Sequence, residues 1–461
     1  MIFNLKRSCL IATMSIVLSA CAGSSVHQAS SAPLRLELSR LTISQLGATY
    51  RAQRPIMALH FEKELGGYRA QRWQPLDSGF RWVTEGEGER IERVDGQSFD
   101  RLSFTMPIDY RPLPKGYAPF SPFSDGSALI HSGQFHACLT APCEEPGPLP
   151  ISIEAQGQTV GINGRRLRER GQFVSRDAGT NLFVGWLEPI RADGFVGVID
   201  PGLPAEIRRH LDRSLPQAMQ SFSTVYGQLS FTPELYVSID ETPEADGRAS
   251  TQGGTLPNQI FMHFDGEDAS EGLAAGSPFW LDWFFAHEAA HLFQQDRTNG
   301  QSGSDQEPWL HEGGADAMAA LALVARSEAE RAYARGREQE AETACGRGLA
   351  LYPLSRASAE GDFDLHYQCG LLIWLALDHD LRRAGVDGLH ALNLAFFARV
   401  RSGQPWNETT ALETARELGA SEPLLARIRA LTGGRYSEPA AAVEQIGVRA
   451  RLALASGNAS N

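Results

Sequence analysis

From about residue 34 to 198 the apolar positions come in short runs or alternate with polar ones, as in LRLEL, IMALHFE, LSFTM, PISIEA and LFVGWL, and Gly, Pro and Asp punctuate them. Alternation at a period of two puts every second side chain on one buried face, so this stretch predicts an antiparallel β domain of the sandwich kind. The period then lengthens. LPAEIRRHLDRSLPQAMQSF spaces its apolar residues as a helix does, ELYVSID and QIFMHFDG read as strands, and a second helical pattern surrounds FFAHEAAHLFQQD, Phe284 to Asp296. Beyond about residue 309 nearly everything is helical: ADAMAALALVARSEAERAYARGREQEAETA is rich in good helix formers with few breakers, and QCGLLIWLALDHDLRRAG repeats the apolar spacing. The pattern therefore predicts an α+β chain with an N-terminal β-rich domain (34–198), a mixed α+β domain (199–330) and a helical C-terminal region (331–461), without internal repeats or a second membrane span.

The ends and the charge restrict where such a chain works. At 461 residues, 42% hydrophobic and 21% charged, the composition is that of an ordinary soluble globular protein. The formal charge of −13 argues against a nucleic-acid partner, which requires a basic surface. Lys6 and Arg7 precede the apolar CLIATMSIVLSA, which is too short to span a bilayer, so residues 1–20 read as a signal segment. LSAC, Leu18 to Cys21, resembles the lipobox of bacterial lipoproteins and implies cleavage before Cys21, acylation of that residue and attachment to a lipid membrane. A plain secretory signal with a coincidental cysteine is the alternative. Ala22 follows, not aspartate, and the same resemblance then implies the outer membrane, facing the periplasm. Residues 21–33 are small and polar, as a tether would be. Four cysteines remain, Cys138, Cys143, Cys345 and Cys369. Pairing each with its sequence neighbour is the simplest of three connectivities in an oxidising compartment, and a four-cysteine zinc site is the rival.

FFAHEAAHLFQQD carries the chemistry. Residues four apart on a helix lie on one face, so His287 and His291 can direct ring nitrogens at a common point, while Glu288 is rotated off that axis. It cannot easily ligate with them, but it can hold a water at a metal and act as general base. Ser277 and Pro278 suit the N-cap and first helical position. H-E-x-x-H alone is short enough to recur by chance. A third ligand is available in EPWLHEGGAD: Pro308 and Trp309 start a second helix, the polar RTNGQSGSDQ lets it fold back antiparallel, and Glu312 then faces the histidines. Asp316, one turn on, can accept the free N–H of a ligand histidine and fix its tautomer. The expected cofactor is one Zn²⁺ per chain.

HEAAH followed by WLHEGGAD resembles the gluzincin metallopeptidases, in particular the leukotriene A4 hydrolase and aminopeptidase N group, and the E-x-x-x-D spacing is similar to thermolysin's. The resemblance implies a thermolysin-like zinc catalytic domain over residues 199–330. The connection is slightly longer than in the aminopeptidases, with 20 residues between His291 and Glu312, and the surplus falls in a loop. HYQCGLLIWLALDHDL is similar to the group's Y-x-x-G segment, which implies that Tyr367 stabilises the tetrahedral oxyanion. His366 is the alternative, since adjacent helical residues point about 100° apart. GGTLPNQIFMHF, Gly253 to Phe264, matches the group's edge strand, and Gly253 and Gly254 imply backbone contacts to an extended peptide substrate. The family there reads G-x-M-E-N, whose glutamate holds the substrate's free amine. No glutamate follows here, although Glu241, Glu244 or Glu267 could supply one from a nearby loop. The expectation is an envelope-anchored zinc peptidase acting on peptide or protein substrates. Two alternatives are a non-catalytic lipoprotein with a structural zinc and a zinc hydrolase of non-peptide amides or esters.

Overall fold

A computed structural model describes residues 32–450 apart from 62–64, 86–87, 114–115, 144–145, 193, 243–249, 304–306 and 435–437. The signal segment, Cys21, Glu244 and nearly all of the tether lie outside the described residues.

The N-terminal sheet departs from the expected antiparallel sandwich. Nine described strands form one mixed sheet. Within it β1 (Leu34–Thr42) pairs antiparallel with β2 (Gln45–Ile56) on one side and parallel with β3 (Leu149–Ile162) on the other. Alternating polarity specifies which face of a strand is buried but carries no information on strand direction, and the long connection from Thr42 to Leu149 allows the parallel crossover. A smaller antiparallel sheet, built from Ala58–Phe61, Gly88–Arg93 and Phe80–Glu85, shares its core, where Phe61, Trp73, Trp82 and Phe104 meet edge to face or stacked.

A second sheet of five strands contains β4 (Ile190–Ala192), β5 (Phe195–Ile199), β6 (Glu234–Asp240), β7 (Ser250–Leu256) and β8 (Gln259–Asp265) in the order β4, β5, β6, β8, β7. Its first two strands come from before residue 199, where the sequence pattern had assigned them to the N-terminal domain: an apolar run such as GFVGVID fits either sheet. β5, β6 and β8 are parallel, and β7 closes one edge antiparallel to β8. The crossover from β5 to β6 is helix α1 (Ala205–Tyr226). The two sheets meet through a shared apolar cluster of Phe123, Leu129, Phe183, Val198, Tyr236, Leu256 and Phe261. Reciprocal bonds between Gln259 and the backbone of Asn181 (3.0 and 2.9 Å) fix their register.

After β8 the chain is helical: α2 (Ala269–Ala275), α3 (Phe279–Arg297), α4 (Pro308–Val324), α5 (Glu328–Leu349), α6 (Asp364–Arg383) and α7 (Gly388–Arg401), followed by Glu408–Glu417, Glu422–Gly433 and Pro439–Ala450. Helix α3 starts one residue later than expected. Pro278 is its cap, and Ser277 Oγ accepts only a long bond (3.4 Å) from the Phe279 amide. Helices α3 and α4 are buried on nearly every face, which explains why their apolar residues do not form a single stripe. α4 crosses α6 at Gly313 and Gly370, where a Cβ on Gly313 would collide with the Gly370 backbone and one on Gly370 would stand 2.6 Å from the Trp309 carbonyl oxygen. Cys345 on α5 and Cys369 on α6 are disulfide-bonded, as are Cys138 and Cys143, the simplest of the three connectivities.

Candidate metal centre

Helices α3 and α4 run antiparallel, so contacts pair rising numbers on one with falling numbers on the other. Asp316 lies beside Trp283 and His287, Glu312 beside His291, and the His311 carbonyl beside Gln294. The Nε2 atoms of His287 and His291 stand 3.0 Å apart, with Glu312 Oε2 3.3 and 3.2 Å from them. Among the described residues this is the one group of three or more such side chains whose donor atoms converge. Both histidines are buried.

Each ring is held from behind. His287 Nδ1–H donates to Asp316 Oδ1 at 2.8 Å, and the Trp283 indole N–H donates to the same oxygen at 2.9 Å. His291 Nδ1–H donates to Gln294 Oε1 at 2.9 Å, and the Gln294 amide donates to the His311 carbonyl at 3.2 Å. With both Nδ1 atoms donating outward, the two Nε2 atoms and the Glu312 carboxylate face one another, an arrangement that a positive charge among them, a proton or a metal ion, stabilises. Burial lowers the proton affinity of His287, yet Asp316, Glu312 and Glu288 outweigh it and hold its pKa well above the ordinary histidine value. Burial acts the other way on Glu312, and its two histidine partners overcome that and hold the carboxyl well below its usual range. Tetrahedral zinc with bonds of about 2.0–2.1 Å separates its ligand atoms by about 3.3 Å, so the donor set and its spacing fit that ion.

Glu288 lies on the same helix but is bonded elsewhere. The Thr255 hydroxyl, on edge strand β7, is 2.7 Å from Glu288 Oε2 and 2.9 Å from the Glu288 carbonyl oxygen and divides its one proton between them. Tyr367, on the first turn of α6, has its ring 5.6 Å from that of His287. Burial, followed by the charges of Glu312, Glu288 and Asp316, raises the pKa of the Tyr367 hydroxyl well above the usual tyrosine value, keeping it a donor. His366 turns away to Ser358 Oγ at 2.9 Å, so of the two candidates on α6 Tyr367 is the one beside the histidines.

Gly253 and Gly254 lie on β7 as the pattern implied. A Cβ at Gly253 would collide with the Phe284 ring, and one at Gly254 with the Tyr117 hydroxyl. Tyr117 comes from the N-terminal domain and is pinned there: the Ala118 amide donates to Gln252 Oε1 at 2.8 Å, and Gln134 Nε2 donates to the Tyr117 carbonyl at 2.7 Å. Burial first, then Glu288 and Glu312, raises its pKa. Of the loop carboxylates considered for an amine, Glu241 accepts the Ser270 amide at the start of α2, and Glu267 is exposed. Sequence reasoning missed Thr255, Gln294, Trp283 and Tyr117. Gln294 was within reach of it, because it sits one turn beyond His291 on the same helix.

No family model matches the chain, and no curated protein matches it. Solved structures do. An aminopeptidase N family protein from Idiomarina loihiensis superposes with a TM-score of 0.60 at 10% identity, covering 89% of this chain and 78% of that one. Native yeast LTA4 hydrolase superposes with a TM-score of 0.50 at 10% identity, covering 87% of this chain and 67% of that one. The shared property at these identities is the fold.

Proposed function

We propose that this chain is a zinc-dependent peptidase holding one zinc through His287, His291 and Glu312. The observation that carries the reading is the buried convergence of three donor atoms with Glu288 beside it. A purely structural site has no use for a further carboxylate beside the ligand set. Zinc, when bound, supplies Lewis acidity toward the scissile carbonyl and makes water more acidic. Glu288 then takes the proton of the attacking water and passes it to the leaving amine, with Thr255 holding the carboxylate in place. Tyr367 donates to the oxyanion as the carbonyl becomes tetrahedral. Edge strand β7 offers backbone groups along which an extended peptide can lie as an added strand, and Gly253 and Gly254 on it leave room for Phe284 and Tyr117. Because neither Glu241 nor Glu267, the described loop carboxylates, is bonded to a site residue, amino-terminally acetylated peptides should be cut at least as well as free ones.

The fold of the two solved structures is a second support, since both proteins are described as aminopeptidase N family or LTA4 hydrolase. The thermolysin-like nature of residues 199–330 and a lipid-anchored location through Cys21, in the outer membrane facing the periplasm, belong to the same proposal and rest on the sequence. Two variants test the chemistry. Glu288→Gln should retain zinc and fold while turnover drops roughly 10²-fold to 10⁴-fold, the usual range for a general base. His287→Ala should lose both zinc and activity. Stoichiometric zinc in His287→Ala, or wild-type hydrolysis by Glu288→Gln, would refute the assignment, and a wild type with zinc but no hydrolysis would favour the structural alternative.

A further inference from the structure

A cavity of about 520 Å³ opens beside the metal centre and runs between α5 and α6. Asp316, the partner of His287 Nδ1, and Tyr367, the proposed oxyanion donor, line it, so the groove abuts the site at those two side chains. One wall is a single face of α5, where Arg337, Glu340, Ala344 and Arg347 follow one another at helical spacing. The size is in the range of small-ligand and peptide subsites.

The charges in this groove have a direction. Arg337 stacks over the Trp283 ring at 5.5 Å and pairs with Glu340 at 3.1 Å, but the Glu340 side chain is 70% exposed, so water screens most of that pair. Arg347 makes no ion pair among the described residues. The carboxylates nearest the reacting atoms, meanwhile, are all engaged: Glu312 with the histidines, Asp316 with His287 and Trp283, Glu288 with Thr255. Among the described residues, a substrate carboxylate entering the groove meets Arg347, which has no ion pair, while Glu340 on the same wall is shared with Arg337.

We infer that the α5–α6 groove is a subsite for a carboxylate of the peptide substrate, seated on Arg347, so that an acidic group raises a substrate's kcat/KM. This rests on the peptidase reading above. The carboxylate has two sources, an Asp or Glu side chain or the terminal carboxyl, and guanidinium recognises both in the same two-pronged way.

The test compares zinc-loaded full-length protein on four peptides of one sequence: Glu or Gln at a position flanking the cleaved bond, each with a free or amidated carboxyl terminus, with cleavage sites read by mass spectrometry. A preference for Glu over Gln identifies a side-chain carboxylate, and a preference for the free acid identifies the terminus. At least one should be favoured tenfold or more in kcat/KM, decreasing with salt. Arg347→Ala should reduce the ratio of acidic to neutral kcat/KM about tenfold, and Arg347→Glu should invert it. Arg335→Ala, which removes the same charge from outside the groove, should leave the ratio alone. Equal cleavage of all four peptides, or an equal loss on all four in Arg347→Ala, overturns the subsite while leaving the peptidase standing. No cleavage of any of them overturns the peptidase reading and the subsite with it.

Discussion

Thr255 carries a consequence that motif spacing does not. A hydrogen bond to a charged acceptor contributes about 1.5–3 kcal/mol, and here it fixes where the Glu288 carboxylate points. Thr255→Val should lower kcat roughly tenfold, the lower end of that range, with KM unchanged, and Thr255→Ser should recover most of the loss. Steady-state kinetics of both variants checks this, and a rise in KM with kcat intact would mean that Thr255 binds substrate instead. At this scale the sequence was readable where neighbours on a helix had to act together: His287, Glu288, His291, Glu312 and Asp316 follow from turns of three and four residues. It was silent where strand or domain packing delivers the group. Thr255 is an unremarked hydroxyl in GGTLPN, and Tyr117 arrives from another domain, so neither has a local pattern to mark it.

Among the elements, the crossing of α4 and α6 sets how far Tyr367 stands from Glu312. Gly313 and Gly370 allow the two backbones to touch, and either Cβ would meet backbone, which cannot swing aside as a side chain does. Gly313→Ala should therefore destabilise the fold by about 1–3 kcal/mol and also lower turnover, because it pushes α6 away from the ligand helix. Chemical denaturation together with kinetics distinguishes this from a local effect at Glu312. Strand β8 supplies a second case. His263 is fully buried on it, with Nδ1 2.8 Å from Ser238 Oγ, and burial lowers its pKa to about 3. Folded protein thus binds fewer protons than unfolded chain between about pH 6.5 and pH 3, so stability is intact above that window and falls as the pH drops through it, by up to about 1.4 kcal/mol per unit. Measured unfolding free energies from pH 7 to pH 4.5 should show this dependence, and His263→Gln should reduce the slope by up to about 1.4 kcal/mol per unit, the rest persisting through His311, whose pKa burial also lowers to about 3. The helix and strand types of this region were legible from periodicity. The mixed direction of the N-terminal sheet was not, because polarity patterns specify faces and not partners.

On the scale of the whole molecule, both domains contribute to the wall of the candidate site. The N-terminal domain places Tyr117 over Gly254 and bonds the edge strand through Gln252, so the wall of the site is finished only when the two domains are docked. None of the described helices is long and apolar enough to cross a membrane. If acylated Cys21 is the anchor, Cys21→Ser should move the protein from the membrane to the soluble fraction, and fractionation of cells expressing the variant checks it. Persistent membrane association would point to an uncleaved signal or a protein partner. The place of β1 in its sheet then has a mechanical meaning. Tension on the segment before Leu34, where it acts along the strand, reaches a strand hydrogen-bonded to β2 along its length and to β3 over Leu36–Ser39. Bonds loaded that way must shear together and cannot unzip one at a time, so a pull from the tether is resisted by the β domain as a block before any of it reaches the helices that hold the histidines.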